Sequence, residues 1–242
     1  MDQITQSAEQ NKFSAFWKNH LLDYCSLSLP QKETYYPHNT KAFRWIRFQF
    51  ETSESQSMHE FSKRSNSNLF NFLYLGLIQS LAELTHKDDI GITTFVHSPD
   101  PSLLSLKCAP LLVRYRLNSS LSFCEQFNQA SLAVFQAYEY RNSNLELLLA
   151  ELQLSSPELF QISVSVVDAQ NRNMIYLPCK EVAEIPFPYH SKKAEISFAL
   201  QYTEEGIQGD LCYNENRYEG EFIQTLMNLF QQNLRKNLQH FK

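Results

Sequence analysis

A mixed α/β fold, an α+β sandwich in which helices pack on a sheet, follows from three features of the sequence. Its 242 residues are 43% hydrophobic, with 18 phenylalanines and 12 tyrosines, enough to fill a sizeable core. Segments with apolar residues at every second position interleave with segments that repeat at helical spacing. No internal repeat and no long low-complexity linker divides the chain, so a single domain over 1–242, with its core at about 12–238, is the simplest parse.

In chain order, Ala8 to Tyr24 predicts a helix with Phe13, Phe16, Trp17, Leu21 and Leu22 on one stripe. Pro30 and Pro37 fix a loop. Arg44 to Phe50 alternates, with Ile46, Phe48 and Phe50 on one face, and reads as a half-buried strand. Ser55 to Ser65 is a polar amphipathic helix. Asn68 to Leu84 is apolar around most of its circumference and predicts a central, buried helix.

Asp89 to Val96 and Pro110 to Leu117 read as strands, the second alternating Leu111, Val113, Tyr115 and Leu117 against Leu112, Arg114 and Arg116. Ser122 and Glu125 form a capping-box pair, opening a helix to Tyr138 whose inner stripe is Phe123, Phe127, Ala130, Val134 and Tyr138. Leu145 to Leu152 continues helically. Strands return at Leu159 to Val167, Glu195 to Tyr202 and Ile207 to Tyr213, the last two forming a hairpin whose turn places Gly206 at positive φ. Glu219 to Leu238 closes the chain as an amphipathic helix buried through Phe222, Ile223, Leu226, Phe230 and Leu234.

Charge and motif content exclude several function classes. A net charge of −5 argues against a nucleic-acid binder that works by bulk charge. The polar N-terminus carries no leader pattern and no window is apolar enough for a membrane helix, so the expected compartment is the cytoplasm. Cys25, Cys108, Cys124, Cys179 and Cys212 are widely spaced with no CxxC, which reads as reduced thiols and no metal site. The five glycines form neither GxGxxG nor GxxxxGK, so no phosphate-cradling loop is expected.

The residues also carry a family resemblance. Phe16-Trp17 in the first helix, the KDDI run at 87–90, CAPLLVRYRL at 108–117, SSPELFQ at 155–161, KKAEISF at 192–198 and GIQGDLCYN at 206–214 are similar, in order and spacing, to the motifs of one lobe of a known domain. Over about residues 12–238 the chain resembles the C-terminal lobe of a non-ribosomal peptide synthetase condensation domain. That domain is a member of the chloramphenicol-acetyltransferase-like superfamily. The resemblance implies a single lobe of that fold with the N-terminal lobe missing. It also implies a setting in secondary-metabolite biosynthesis and no cofactor on this chain, any phosphopantetheine arriving on a partner carrier protein.

The chain departs from the family at the positions that matter for chemistry. Family catalysis rests on an HHxxxDG motif whose second histidine acts on the acceptor amine during attack on a carrier-bound thioester. The seven histidines here (His20, His38, His59, His86, His97, His190 and His240) are isolated, so no catalytic residue is assigned. The family's GxPxxGR reads TTFVHSP at 93–99, and its HQDYPFEKL reads YRNSNLELL at 140–148, keeping Glu146 and little else.

Site candidates follow with their plainer alternatives. His97 lies where the resemblance places a substrate tunnel, or it is a hydrogen-bonded strand-end histidine. Arg114 and Arg116 are carrier-contact candidates, or they lie on a solvated sheet face. Cys108 has no partner placed to make it a nucleophile, and Asp89 and Glu146 read as loop-positioning residues. The segment Asn171 to Lys193 is long for a loop and holds Tyr176, Phe187 and Tyr189, candidates for an interaction surface.

Three functions compete on these grounds. The preferred one is a non-catalytic partial condensation domain that docks an adenylation or carrier domain. A second is a half-enzyme completed in trans by a lobe bearing HHxxxDG, forming amide bonds between carrier-bound thioesters, or a lobe covered by a second copy of itself. The third is a small-molecule acyltransferase with His97 or His190 as base.

Overall fold

The computed structural model describes residues 3–34, 42–97, 108–141, 149, 159–168 and 194–240. The order is α1 (Gln3–Leu21), β1 (Phe43–Gln49), α2 (Thr52–Arg64), α3 (Leu69–Thr85), β2 (Asp89–His97), β3 (Cys108–Arg116), α4 (Phe123–Glu139), β4 (Ile162–Asp168), β5 (Ile196–Thr203), β6 (Gly206–Asn214) and α5 (Gly220–Gln239). The expected helix at 145–152 lies outside the described residues, apart from a helical Leu149.

Six strands form one mixed sheet in the order β1-β6-β5-β4-β2-β3. The β2–β4 and β4–β5 pairs are parallel, and the remaining pairs are antiparallel. Because side chains alternate across a strand, Phe48, Leu211, Phe198, Val164, Ile92 and Val113 share one face. Helices α2 to α5 cover that face. Helix α3 packs on α2, α4 and α5 at once, and its buried residues run around its circumference, as its uniformly apolar sequence requires.

Local chemistry sets the element ends. Ser122 caps α4 and exchanges a reciprocal bond with Glu125, and Asn68 Oδ1 accepts the Asn71 amide 3.0 Å away to open α3. The β5–β6 hairpin turns at Gly206, φ +116°, a conformation that a side chain would strain. Ser55 of α2 accepts the next amide, Ile207 N, at 2.8 Å and so ties that turn to the helix layer.

Two expected stripes are corrected. Leu22 is exposed because α1 ends at Leu21 and Asp23, φ +58°, turns the chain away before another helical turn forms. Tyr138 is also exposed: the 3.6-residue period carries the buried stripe of α4 through Ala130 to Ala133 and Ala137, leaving Leu132, Phe135 and Tyr138 on the outside. β4 begins three residues later than expected, since Gln161 C=O already accepts the amides of Glu195 and Ile196.

Candidate functional site

The second face of the sheet, away from α2 to α5, carries most of the sequence-predicted polar candidates. Pairing sets Asp89 opposite Arg116 and Gly91 opposite Arg114 on the β2–β3 edge. Alternation then puts Asp89, Gly91, Arg114 and Arg116 together on that face. Arg114 Nε donates to Asp89 Oδ1 at 2.7 Å, and its second nitrogen reaches Oδ2, a bidentate charge-assisted pair. Its remaining nitrogen donates to the backbone oxygens of His20 and Leu22 at the end of α1. The Tyr24 ring lies 5.0 Å from the guanidinium carbon, and a side chain at Gly91 would collide with the Tyr24 hydroxyl.

The expectation of a solvated face therefore fails for Arg114, whose side chain is 7% exposed, and holds for Arg116 at 66%. The cause lies in the chain path. α1 and the turn after it fold over this strand edge and cover Arg114, whereas Arg116 stays exposed. Asp89 holds both arginines, and Arg114 in turn holds the end of α1. Burial pushes its carboxyl up, but the hydrogen bonds and charge of Arg114, then of Arg116, outweigh this and hold it below the usual range.

Helix α1 is held from its other side by aromatic contacts. Trp17 Nε1 donates to Tyr140 C=O at 2.9 Å, and Phe16 stacks on the Tyr140 ring at 4.0 Å. His20 stacks on Phe16 and meets Trp17 edge-on, its Nε2 buried without a hydrogen-bond partner among the described residues. Burial first, then the charge of Arg114, lowers its pKa to about 4, against a smaller opposing pull from Asp89.

This histidine gives the fold a definite pH response. The unfolded chain binds the His20 proton below about 6.5, whereas the folded chain does so only below about 4. Stability is therefore expected to fall as pH drops through that window, and His20→Phe, which keeps the stack, is expected to flatten the slope there. Urea midpoints between pH 7 and 4 check this; an unchanged slope in the variant would contradict it. The Asp89 contribution, present above its ordinary value, is lost only at lower pH.

Further along this face a polar row crosses the centre of the sheet. Thr93, Ser163 and Ser197 are register neighbours on β2, β4 and β5, and all are buried. Ser163 Oγ donates to Ser197 Oγ at 2.8 Å, while Thr93 Oγ1 has no partner among the described residues. The inward apolar pattern of these strands does not single out this row. Its signal was the small polar residue at alternate positions of β4 and β5, Ser163, Ser165 and Ser197.

Of the other candidates, His97 ends β2 opposite Cys108, which begins β3, and the side chains of both lie outside the described residues. Tyr176, Phe187 and Tyr189 lie outside them as well. The structure thus brings Arg114 and Arg116 together on Asp89 and sets His97 eight residues along β2 from that carboxylate. Among the described residues, no helix is long and apolar enough to cross a membrane.

Comparison with known proteins gives this arrangement its relatives. The family model described as the condensation domain matches residues 1–242. A curated relative, a linear gramicidin synthase polypeptide of Brevibacillus parabrevis, is 22% identical over 195 residues, 76% of this chain and 2% of that protein. The X-domain from teicoplanin biosynthesis superposes with a TM-score of 0.77 at 18% identity, covering 95% of this chain and 54% of that one. A four-domain nonribosomal peptide synthetase, holo-AB3403 bound to AMP and glycine, does so with a TM-score of 0.78 at 16% identity, covering 97% and 20%. The chain thus spans about half of the X-domain structure and a small part of the synthetases. Matched by that model along its whole length and folded as the chloramphenicol-acetyltransferase-like lobe its motifs implied, the chain belongs to the condensation-domain family.

Proposed function

We propose that this chain is a non-catalytic condensation-type lobe that docks an adenylation or carrier domain in non-ribosomal peptide biosynthesis. The observation that carries the reading is a family match over residues 1–242 in a sequence with no adjacent histidine pair. The polar residues best placed for chemistry on the second sheet face support it too. Arg114 and Asp89 are committed to holding α1, and Ser163 and Ser197 bond each other. Two neighbours point to association as a use of this fold: one is an X-domain in complex with OxyB, another a cyclization-docking bidomain.

In this reading the chain holds no cofactor, and phosphopantetheine arrives on the carrier. Arg116, exposed at the β3 edge, meets the phosphate of that arm, and Tyr176, Phe187 and Tyr189 supply apolar contact area. His97 lines the carrier's approach and moves no proton.

Light scattering of the chain alone and mixed with adenylation and carrier domains tests the proposal. A stable complex is expected, weakened in Arg116→Glu and in the triple alanine variant at 176, 187 and 189. A chain that stays monomeric in every mixture, or only pairs with itself, would overturn it. Adding a lobe that bears HHxxxDG and loaded carriers is expected to give no peptide, whereas amide product would establish a half-enzyme completed in trans.

A further inference from the structure

At one end of the helix layer, a groove of about 740 Å³ opens between the last turns of α3 and α5 and the first turn of α4. Its size is that of a small-molecule site. Two asparagines one turn apart on α5, Asn233 and Asn237, line it. Hydrogen bonds behind the groove wall fix which way each carboxamide points.

Gln126 Nε2 donates to Leu121 C=O at 2.9 Å, and a backbone carbonyl can only accept, so the Gln126 oxygen faces Gln79. Gln79 Nε2 donates to it at 3.1 Å, and the Gln79 oxygen in turn accepts Asn237 Nδ2 at 2.8 Å. Asn237 is therefore held with its nitrogen inward. Asn233 is held likewise: Ser80 Oγ gives its one proton to Gly76 C=O at 2.7 Å and accepts Asn233 Nδ2 at 3.1 Å. Both Oδ1 atoms are left without a partner among the described residues, and neither is sealed from solvent, although Asn237 as a whole is only 4% exposed. The groove thus presents two pre-oriented acceptors.

The charges around them balance. Glu83 and Asp88 contribute two carboxylates, and Lys87 and Lys236 two ammonium groups; the other ionisable lining residues are His86 and His240. An ion of either sign would meet a like charge, whereas a hydroxyl, donor and acceptor at once, can use both kinds of group. His240, stacked on Phe123 at 5.6 Å, adds an apolar wall beside Leu121.

From this we infer that the groove binds a neutral sugar, a mono- or disaccharide. Neighbouring hydroxyls donate to Asn233 Oδ1 and Asn237 Oδ1, the lysines donate to ring or hydroxyl oxygens, and the C–H face of the sugar lies against His240 and Leu121. The site is on the helix side of the sheet, away from Arg116, and does not depend on the docking proposal.

NMR titration of the isotope-labelled full chain with maltose, methyl α-D-glucopyranoside, glucosamine and glucose 6-phosphate tests the assignment. Maltose is expected to bind saturably below about 10 mM and with little dependence on salt, as an uncharged ligand in an open groove should. The side-chain amide signals of Asn233 and Asn237 are expected to shift and that of Asn71, at the opposite end of α3, to stay. The methyl glucoside is expected to bind severalfold more tightly than either charged sugar. Asn233→Ala, which leaves Ser80 bonded to Gly76, is expected to weaken maltose about fivefold, the effect of one lost hydrogen bond, and Asn237→Ala at least as much. Should Asn237→Ala fail to fold by circular dichroism, Asn233→Ala decides. No saturable binding, tighter binding of a charged sugar, or undiminished maltose binding to Asn233→Ala would overturn the inference.

Discussion

Phe230→Ala is expected to lower the unfolding free energy by about 3–5 kcal/mol, the range for removing a buried aromatic ring. Phe230 is fully buried on α5 and meets three other rings edge-on or nearly so: Phe48 of β1 at 6.1 Å, Phe198 of β5 at 5.2 Å and Phe50 just past β1 at 6.4 Å. No single neighbour can move into the space, because the backbone around each is hydrogen-bonded into the sheet. β1 and β5 both pair with β6, and Phe50 N is bonded to Ile207 C=O at 2.9 Å. The cavity therefore persists and its cost adds to the lost burial. Phe230→Leu, which refills part of the volume, is expected to recover at least half. Urea denaturation measures both, and a loss below about 1 kcal/mol in Phe230→Ala would mean that α5 does not anchor the sheet in this way.

Arg114→Met is expected to cost a similar amount, about 3–5 kcal/mol, by a different route. Methionine keeps the apolar stem but leaves the half-buried Asp89 carboxylate without its bidentate partner and two carbonyls of the α1 end without their donor. Arg116 still reaches Asp89, yet its guanidinium is exposed and screened, so it compensates little. Because Arg114 and Asp89 act as one unit, adding Asp89→Asn to Arg114→Met is expected to cost less than Asp89→Asn does alone. The loss has a local signature: α1 is released from the strand edge first. Trypsin is then expected to cut after Lys12 or Lys18 many times faster than in the parent chain while the sheet core stays protected. Equal cleavage rates would show that the aromatic contacts of Trp17 and Phe16 hold α1 without the arginine.

Much of the fold was legible in the sequence because its signals are local and redundant. The Ser122–Glu125 cap, the Gly206 turn, the all-round apolar α3 and the alternation of β1, β5 and β6 each follow from a few adjacent residues. The motif order from Phe16 to Asn214 pointed to the condensation family, which the match over residues 1–242 bears out. Alternation could also say that Arg114 and Arg116 share a face. It could not say that one is buried and the other exposed, because that depends on where α1, nearly a hundred residues earlier, crosses the strand edge.

The same limit applies to the polar features the strand and helix patterns did not single out. Ser163 and Ser197 become partners only through the parallel β4–β5 register. By itself the sequence determined the elements, the buried stripes of most of them and the family, since periodicity and motif spacing are properties of neighbouring residues. Which polar groups are satisfied, shielded or left open was decided by the tertiary structure alone, since burial and hydrogen-bond partners are supplied by residues distant in the chain.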